Sequence, residues 1–359
     1  MPWSLRTRRA GLVAASAAIP LALAYRFALV YRVRAGYPKR HAPATTPAAV
    51  GLAWEDVEIP AAGGLNLPGW YMPAEGTDPS AAAPAVALVH GWESARDRML
   101  PHAQFLHAAG FSVLAIDVRG HGANGAEALP VSVGEFAADA RAAAAWLRAR
   151  DDVARVGLLG HSMGAAGALV AAASDPGISA VVAIAAPAGP YRLTRLTFRL
   201  ADLPFPGPIA WPLAWLTTYV YLRPRGHRPS DTSATQAVRQ IDAPVLLVHG
   251  SDDRILPVSH HRRLAAARRA ARPDAVTETL VIEGGEHSWA YEFPAFRATV
   301  ARFLAASLGG PLDPHAAAAV AGAIAAVRLP DNDRLTALDD EPGGARSVAR
   351  ILRPQAPEP

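Results

Sequence analysis

Gly160-His161-Ser162-Met163-Gly164 is the stretch of this chain whose residue types and spacing point most directly to chemistry. It reads as G-x-S-x-G. Residues 156–159 before it are short, apolar and strand-like, and residues 163–173 after it are small, Ala-rich and helix-prone. A serine at such a strand-to-helix turn is held on a strained backbone with its hydroxyl exposed above the sheet, and the turn leaves no room for large neighbours. The chemistry is covalent acyl transfer. Serine is a poor nucleophile at neutral pH, so it needs a histidine base, and the histidine needs a carboxylate to fix its tautomer and stabilise its positive form.

Few residues after Ser162 can supply those partners. An apolar strand at 245–248 runs into His249-Gly250-Ser251-Asp252-Asp253, continuing to Leu256-Pro257. A second strand at 279–282 runs into Gly284-Gly285-Glu286-His287. On spacing alone, either Asp252 or Asp253 can be the acid. The elements that position these turns alternate along the chain. Apolar strands are predicted at 85–89, 111–116, 156–159, 180–185 and 245–248, and helices at 98–109, 133–150, 259–271 and 293–307. Continuous apolar strands alternating with helices imply a parallel sheet covered on both faces, with functional residues gathered at the carboxyl ends of the strands. Residues 54–71 alternate around Gly63-Gly64 and predict an antiparallel hairpin at one edge. Residues 187–240 interrupt the alternation with Pro-rich turns and the run Trp211-Pro212-Leu213-Ala214-Trp215-Leu216. That insertion predicts a small cap over the site.

Taken together and in order, these motifs resemble those of the α/β-hydrolase superfamily, over residues 54–308. His90-Gly91-Trp92 is similar to the family's loop before the oxyanion hole. Asp117-Val118-Arg119-Gly120-His121-Gly122 resembles its D-x-R-G-H-G turn. Gly250-x-x-Asp253-x-x-Leu256-Pro257 is similar to its acid turn, with Leu in place of Val, and Gly285-Glu286-His287 to its histidine turn. The resemblance implies an α/β-hydrolase fold: a mostly parallel sheet with helices on both faces and a small helical cap between strands. It implies Ser162 as nucleophile, His287 as base and Asp253, rather than Asp252, as acid. The backbone amides of Trp92 and Met163 would form the oxyanion hole. Trp92, Trp211 and Trp215 are the expected substrate-binding side chains. The subgroup it most resembles is that of membrane-anchored bacterial esterases and serine aminopeptidase-like hydrolases.

Other residues have structural readings. His90 and His121 are expected to shape loops, and His161 to pack under the turn. Glu135 and Asp139, at i and i+4 on a helix, are expected to form a solvated face. No metal role is expected for His90, His121 or His249, and no cofactor is expected. The glycines around Ser162 lack the G-x-G of a dinucleotide fingerprint.

Composition narrows the class further. The chain has 359 residues and no cysteine, which excludes disulfides, thiolate metal sites and a Cys nucleophile. Its basic charge is nearly all arginine, Lys39 being the one lysine, and no basic helix interleaved with aromatics points to nucleic acid. Residues 1–41 hold eight basic side chains and no acid. The uncharged run 10–25 gives roughly 24 Å of helix against a hydrocarbon core of roughly 30 Å. Extended to Tyr31 it reaches a spanning length if Arg26 snorkels to the interface. Residues 1–34 are therefore expected to be a single-pass membrane anchor, with membrane contact through residues 10–31. The alternatives are a signal peptide cleaved near Ala24 and a helix docked on the soluble domain. Residues 35–53 read as a linker. Residues 309–359 read as an Ala-rich helix and a disordered tail beginning near Pro330.

The predicted activity is hydrolysis of an ester, thioester or amide through an acyl-enzyme on a small-molecule or lipid-like substrate. The apolar cap favours an esterase over a peptidase. An acyltransferase on the same triad, or a membrane-associated scaffold retaining the fold, are the alternatives. The oligomeric state is not legible.

Overall fold

The computed structural model describes residues 5–75, 82–203 and 205–329, with side chains from residue 18 onward. The expected disordered tail therefore lies outside the described residues, apart from its helix. The chain begins with α1 (Leu5–Ala35) and a docked segment with a short 3₁₀ turn at Pro47–Val50. It continues through β1 (Glu55–Ala61), β2 (Leu65–Met72), β3 (Ala83–Val89), α2 (Leu100–Ala108), β4 (Ser112–Ile116), α3 (Val133–Arg148), β5 (Val153–His161), α4 (Met163–Ser174) and β6 (Ile178–Ile184). The cap helices α5 (Pro190–Leu200), α6 (Gly207–Leu222) and the short α7 (Ala234–Ala237) follow. The chain then returns through β7 (Val245–Gly250), α8 (Ser259–Ala271), β8 (Thr277–Ile282), α9 (Pro294–Leu308) and α10 (Pro314–Ala323).

The eight strands form one sheet in the order β1-β2-β4-β3-β5-β6-β7-β8. The β1–β2 hairpin is antiparallel and joins β4 antiparallel, as expected at an edge, and every other pairing is parallel. The period of two along a strand sorts the core into two layers. In β3, Ala85, Ala87 and Val89 pack with Phe136 of α3 and Leu169 of α4, while Val86 and Leu88 pack with Phe105 of α2 and Phe303 of α9. Continuous apolar strands are thus covered on both faces, and the polar turns are left at the strand ends.

Two expectations change. Residues 35–53 are not a free linker. Val50 and Leu52 are buried in the second layer, and the Ala44 amide donates to Asp97 at 2.8 Å. Glu135 and Asp139 are buried instead of solvated. Asp139 pairs with Arg119, and Glu135 takes the Ser132 amide in a capping box and meets His227 at 2.7 Å. Their partners come from other segments, so a helical wheel cannot show them. Among the described residues no helix is long and apolar enough to cross a membrane. The second half of α1 docks on the cap. Phe27 and Tyr31 set their rings edge-on against Phe198, and the Tyr221 hydroxyl donates to the Ala35 carbonyl at 3.1 Å. Arg26, Arg32 and Arg34 lie in this half.

Candidate active site

The turn between β5 and α4 places Ser162 at φ 53°, ψ −116°, a left-handed conformation that a non-glycine residue adopts only under constraint. The constraint is backbone crowding. A Cβ on Gly160 would strike the Gly164 carbonyl, and one on Gly164 would strike the carbonyls of Val89 and His90. The two glycines of G-x-S-x-G therefore allow β3, β5 and α4 to converge beneath the serine.

His287 arrives on the loop after β8, and Asp253 on the loop after β7. The two loops touch because Gly250 packs directly on the Gly285 backbone, where any Cβ would collide. His287 Nε2 lies 3.0 Å from Ser162 Oγ, and His287 Nδ1 lies 2.7 Å from Asp253 Oδ2. The geometry fits a neutral His287 that donates from Nδ1 to the carboxylate and accepts the serine O–H at Nε2. Asp253 is buried and also accepts the Leu256 amide at 2.6 Å. Burial alone would raise its carboxyl. A positive charge on His287 when it is protonated, with the donors from His249, His287 and Leu256, outweighs burial and holds it below the usual carboxylate range. Asp252 points away, accepting from the Ser251 hydroxyl.

Two further histidines serve this arrangement, and the sequence did not reveal their roles. His249 sits at the end of β7 with its side chain fully buried, its Nε2 2.7 Å from the Leu256 carbonyl and 3.3 Å from Asp253 Oδ2. A carbonyl and a carboxylate both require a donor there, so His249 props the turn of Asp253 and meets the same carboxylate oxygen as His287. His161 directs Nε2 to the His287 carbonyl at 2.8 Å and so holds the backbone of the base. Burial first, and the neighbouring His287 second, push His161 down to about 3, so it stays neutral. A histidine flanking the serine was the available signal, but its partner lies 126 residues away.

The loop-shaping roles of His90 and His121 hold. His90 donates from Nδ1 to the Gly91 carbonyl at 2.7 Å and accepts the Val118 amide at 3.1 Å. His121 donates from Nδ1 to the Arg119 carbonyl at 3.0 Å. Asp117 binds the Arg96 amide and guanidinium, both at 2.7 Å, and so ties down the loop that carries Trp92.

A cavity of about 340 Å³ opens over Ser162 and His287 and includes Trp92 and Met163. Met163 supplies the first amide of α4, and a helix offers no internal acceptor to its first amides. Gly91, just before Trp92, lies close enough that a Cβ there would sit 3.4 Å from Ser162 Cβ. The cap wall is Leu193, Thr194 and Leu200 of α5 with Thr218 and Leu222 of α6, and the N-terminal segment adds Tyr31, His41 and Ala42. Trp211 and Trp215, expected as substrate contacts, do not line this cavity. They stand on the outer face of α6, 44% and 55% exposed, because residues 210, 213, 214 and 217 take the buried side of the same helix.

This sheet order, with a serine on the turn after its central β5 and a helical cap after β6, defines a serine hydrolase architecture. The comparisons agree. The profile of the family described as serine aminopeptidase, S33, matches residues 80–221. An uncharacterised protein of Mycobacterium tuberculosis is 33% identical over 249 residues, 68% of this chain and 76% of that one. The uncharacterised protein YqkD of Bacillus subtilis is 28% identical over 251 residues, covering 68% and 77%. Among solved structures, the Pyrococcus furiosus esterase Pf2001 superposes with a TM-score of 0.58 at 25% identity, over 76% of this chain and all (100%) of the other. The Pyrococcus horikoshii acylaminoacyl peptidase does so at 0.56 and 17% identity, covering 73% and 43%. The chain belongs to the α/β-hydrolase superfamily and is a serine hydrolase.

Proposed function

We propose that this hydrolase cleaves esters through an acyl-enzyme on Ser162. Ser162 Oγ attacks the substrate carbonyl carbon while its proton passes to His287 Nε2. The carbonyl oxygen becomes an oxyanion held by the amides of Trp92 and Met163. The C–O bond to the leaving alcohol breaks as His287 returns the proton to it. Water then attacks the acyl-serine by the same route and releases the acid. Asp253 keeps His287 in the required tautomer and stabilises its charged form. The observation carrying this reading is the chain of hydrogen bonds from Ser162 through His287 to Asp253, at 3.0 and 2.7 Å. Its test is Ser162→Ala against a panel of p-nitrophenyl esters. Turnover should fall by about 10⁶-fold. Turnover equal to wild type would sink the assignment.

The leucines and Met163 of the cavity support a small-molecule or lipid-like acyl group of modest length, since about 300–1,000 Å³ is the ordinary range for ligand pockets. One observation favours a second reading, an amide substrate bearing a free amine. Glu93 and Asp97 both line the cavity and could meet an ammonium group. Faster turnover of aminoacyl amides than of the matching esters would select it. An acyltransferase would differ only in the acceptor, and alcohol competition with product analysis separates the two. We also propose that residues 10–31 bring the protein to a membrane. Supporting this, Ile19, Leu21, Leu23 and Tyr25 are exposed on α1 ahead of Phe27, its first docked ring.

A further inference from the structure

The outer face of α6 is built unlike any other helical surface of the cap. Its sixteen residues contain no charge. Trp211, Trp215 and Tyr219 recur at i, i+4 and i+8 on that outer face, 44%, 55% and 43% exposed, and Ile209 is 53% exposed in the first turn. Trp215 and Tyr219 stack on each other, centroids 6.0 Å apart and planes 5° apart. Single exposed apolar residues are ordinary, but a stripe of them on one helix marks an interaction surface.

The surroundings identify the partner. The Arg195 guanidinium lies 3.9 Å from the centre of the Trp211 ring, with Arg192 at 5.8 Å. Arginines outnumber acids seven to two across residues 187–240. Aromatic rings with arginines at their edge match the boundary of an anionic bilayer, where rings sit at headgroup level and cations meet phosphates. The stripe also continues into α1. Phe27 packs edge-on to Phe205 at the start of α6 while Ala35 meets Tyr221 at its end, so the two helices run parallel. The exposed turns 18–25 of α1 therefore lie beyond the end of α6 that carries Ile209.

We propose that the outer face of α6 seats in the headgroup layer of an anionic membrane, with Arg192 and Arg195 on the phosphates. Thr218 and Leu222, one row over from Trp215 and Tyr219 on the same helix, would then place the cavity wall beside the lipid-contacting surface. This shares the bilayer with the anchoring proposal for α1 and owes nothing to the hydrolytic chemistry.

The absence of native cysteine makes the test specific. The full chain carrying Ile209→Cys or Trp215→Cys, with Val276→Cys as control, is labelled with bimane. It is mixed with phosphatidylcholine/phosphatidylglycerol vesicles containing acyl-chain nitroxide lipid. Val276 is 53% exposed and lies on the loop before β8, away from the cap. The expected result is blue shift and quenching at 209 and 215 but not at 276. Arg192→Glu and Arg195→Glu should each weaken partitioning by about fivefold or more, in a salt-sensitive way. Three results would overturn the proposal. In one, vesicle-bound protein is quenched at 209 and 215 no more than at 276, which leaves α1 as the sole contact. In another, nothing binds vesicles. In the third, the blue shift appears without vesicles and grows with protein concentration, which makes the partner a second copy.

Discussion

At the carboxyl ends of β5, β7 and β8 the side chains are polar, buried and bonded across loops. On the outer face of α6 they are apolar, exposed and in contact mainly with one another and two arginines. The first region fixes atoms. Asp253 alone receives donors from His287, His249 and Leu256, and His161 holds the His287 carbonyl. The second region has no counterpart to that bonding on its outer side. What holds the cap lies underneath: the edge-on rings of Phe27, Tyr31, Phe198 and Phe205, and the ties from Arg225 and His227 to the 127–135 loop. The difference separates two tasks, since reaction geometry tolerates little displacement while a surface for binding needs area and exposure.

After loss of Ser162 itself, the largest effect expected of a single change is Asp253→Asn. With Asn in place, Nδ1 of His287 loses its anionic acceptor and the wrong tautomer is favoured. Ester turnover should fall by about 10⁴-fold with the fold intact. Loss of less than tenfold would remove Asp253 from the account. Acid should act next, and on the same region. Burial pushes His90 down to about 4 and His102 and His121 down to about 3. The unfolded chain, with histidines near 6.5, binds these protons first, so stability falls as pH drops below about 6.5 and is recovered above it. Each such histidine steepens the loss by about 1.4 kcal/mol per pH unit. Asp117 and Asp139, raised by burial, take up protons in the folded state and blunt the lower end of the transition. A melting temperature that stays flat from neutrality into this range contradicts the picture.

Gly164→Ala comes third. Its Cβ meets backbone carbonyls that cannot swing aside, so about 1–3 kcal/mol of stability should be lost in urea unfolding, together with activity. His249→Phe should keep the fold but loosen the acid turn, lowering kcat by about tenfold and altering the pH profile more than KM. An unchanged profile would reduce His249 to packing. Smallest of all, Trp215→Ala should leave stability within about 0.5 kcal/mol and turnover of soluble esters unchanged. A clear loss of either would mean that the two regions are not separable.

The strand-end region was legible in the sequence to the extent that its residue types are dictated locally. Gly160, Ser162, Gly164, Gly250 and Gly285 are required by the turns they make; Asp252, Asp253 and His287 fall at strand ends that apolar runs announce, and the family resemblance is what selects Asp253. The parallel sheet and its hairpin edge followed from the same alternation. What escaped depends on partners distant in sequence. Glu135 and Asp139 look solvated until His227 and Arg119 are brought beside them, and His161 and His249 look like packing until the loops after β7 and β8 meet. The inside and outside of α6 could not be told apart, because both faces are apolar and periodicity marks a face only where polar residues occupy the other. The docking of α1 was hidden for the same reason.

The central claim is that Ser162 is the nucleophile. Ser94, Ser132 and Ser288 line the same cavity, so loss of activity alone does not locate the reacting atom. The direct measurement is to label the full chain with a fluorophosphonate, digest it and map the adduct by mass spectrometry. The account predicts one adduct, on Ser162, that disappears when His287 is replaced by alanine. An adduct on Ser94, Ser132 or Ser288 in its place, or undiminished labelling of Ser162→Ala, would contradict it.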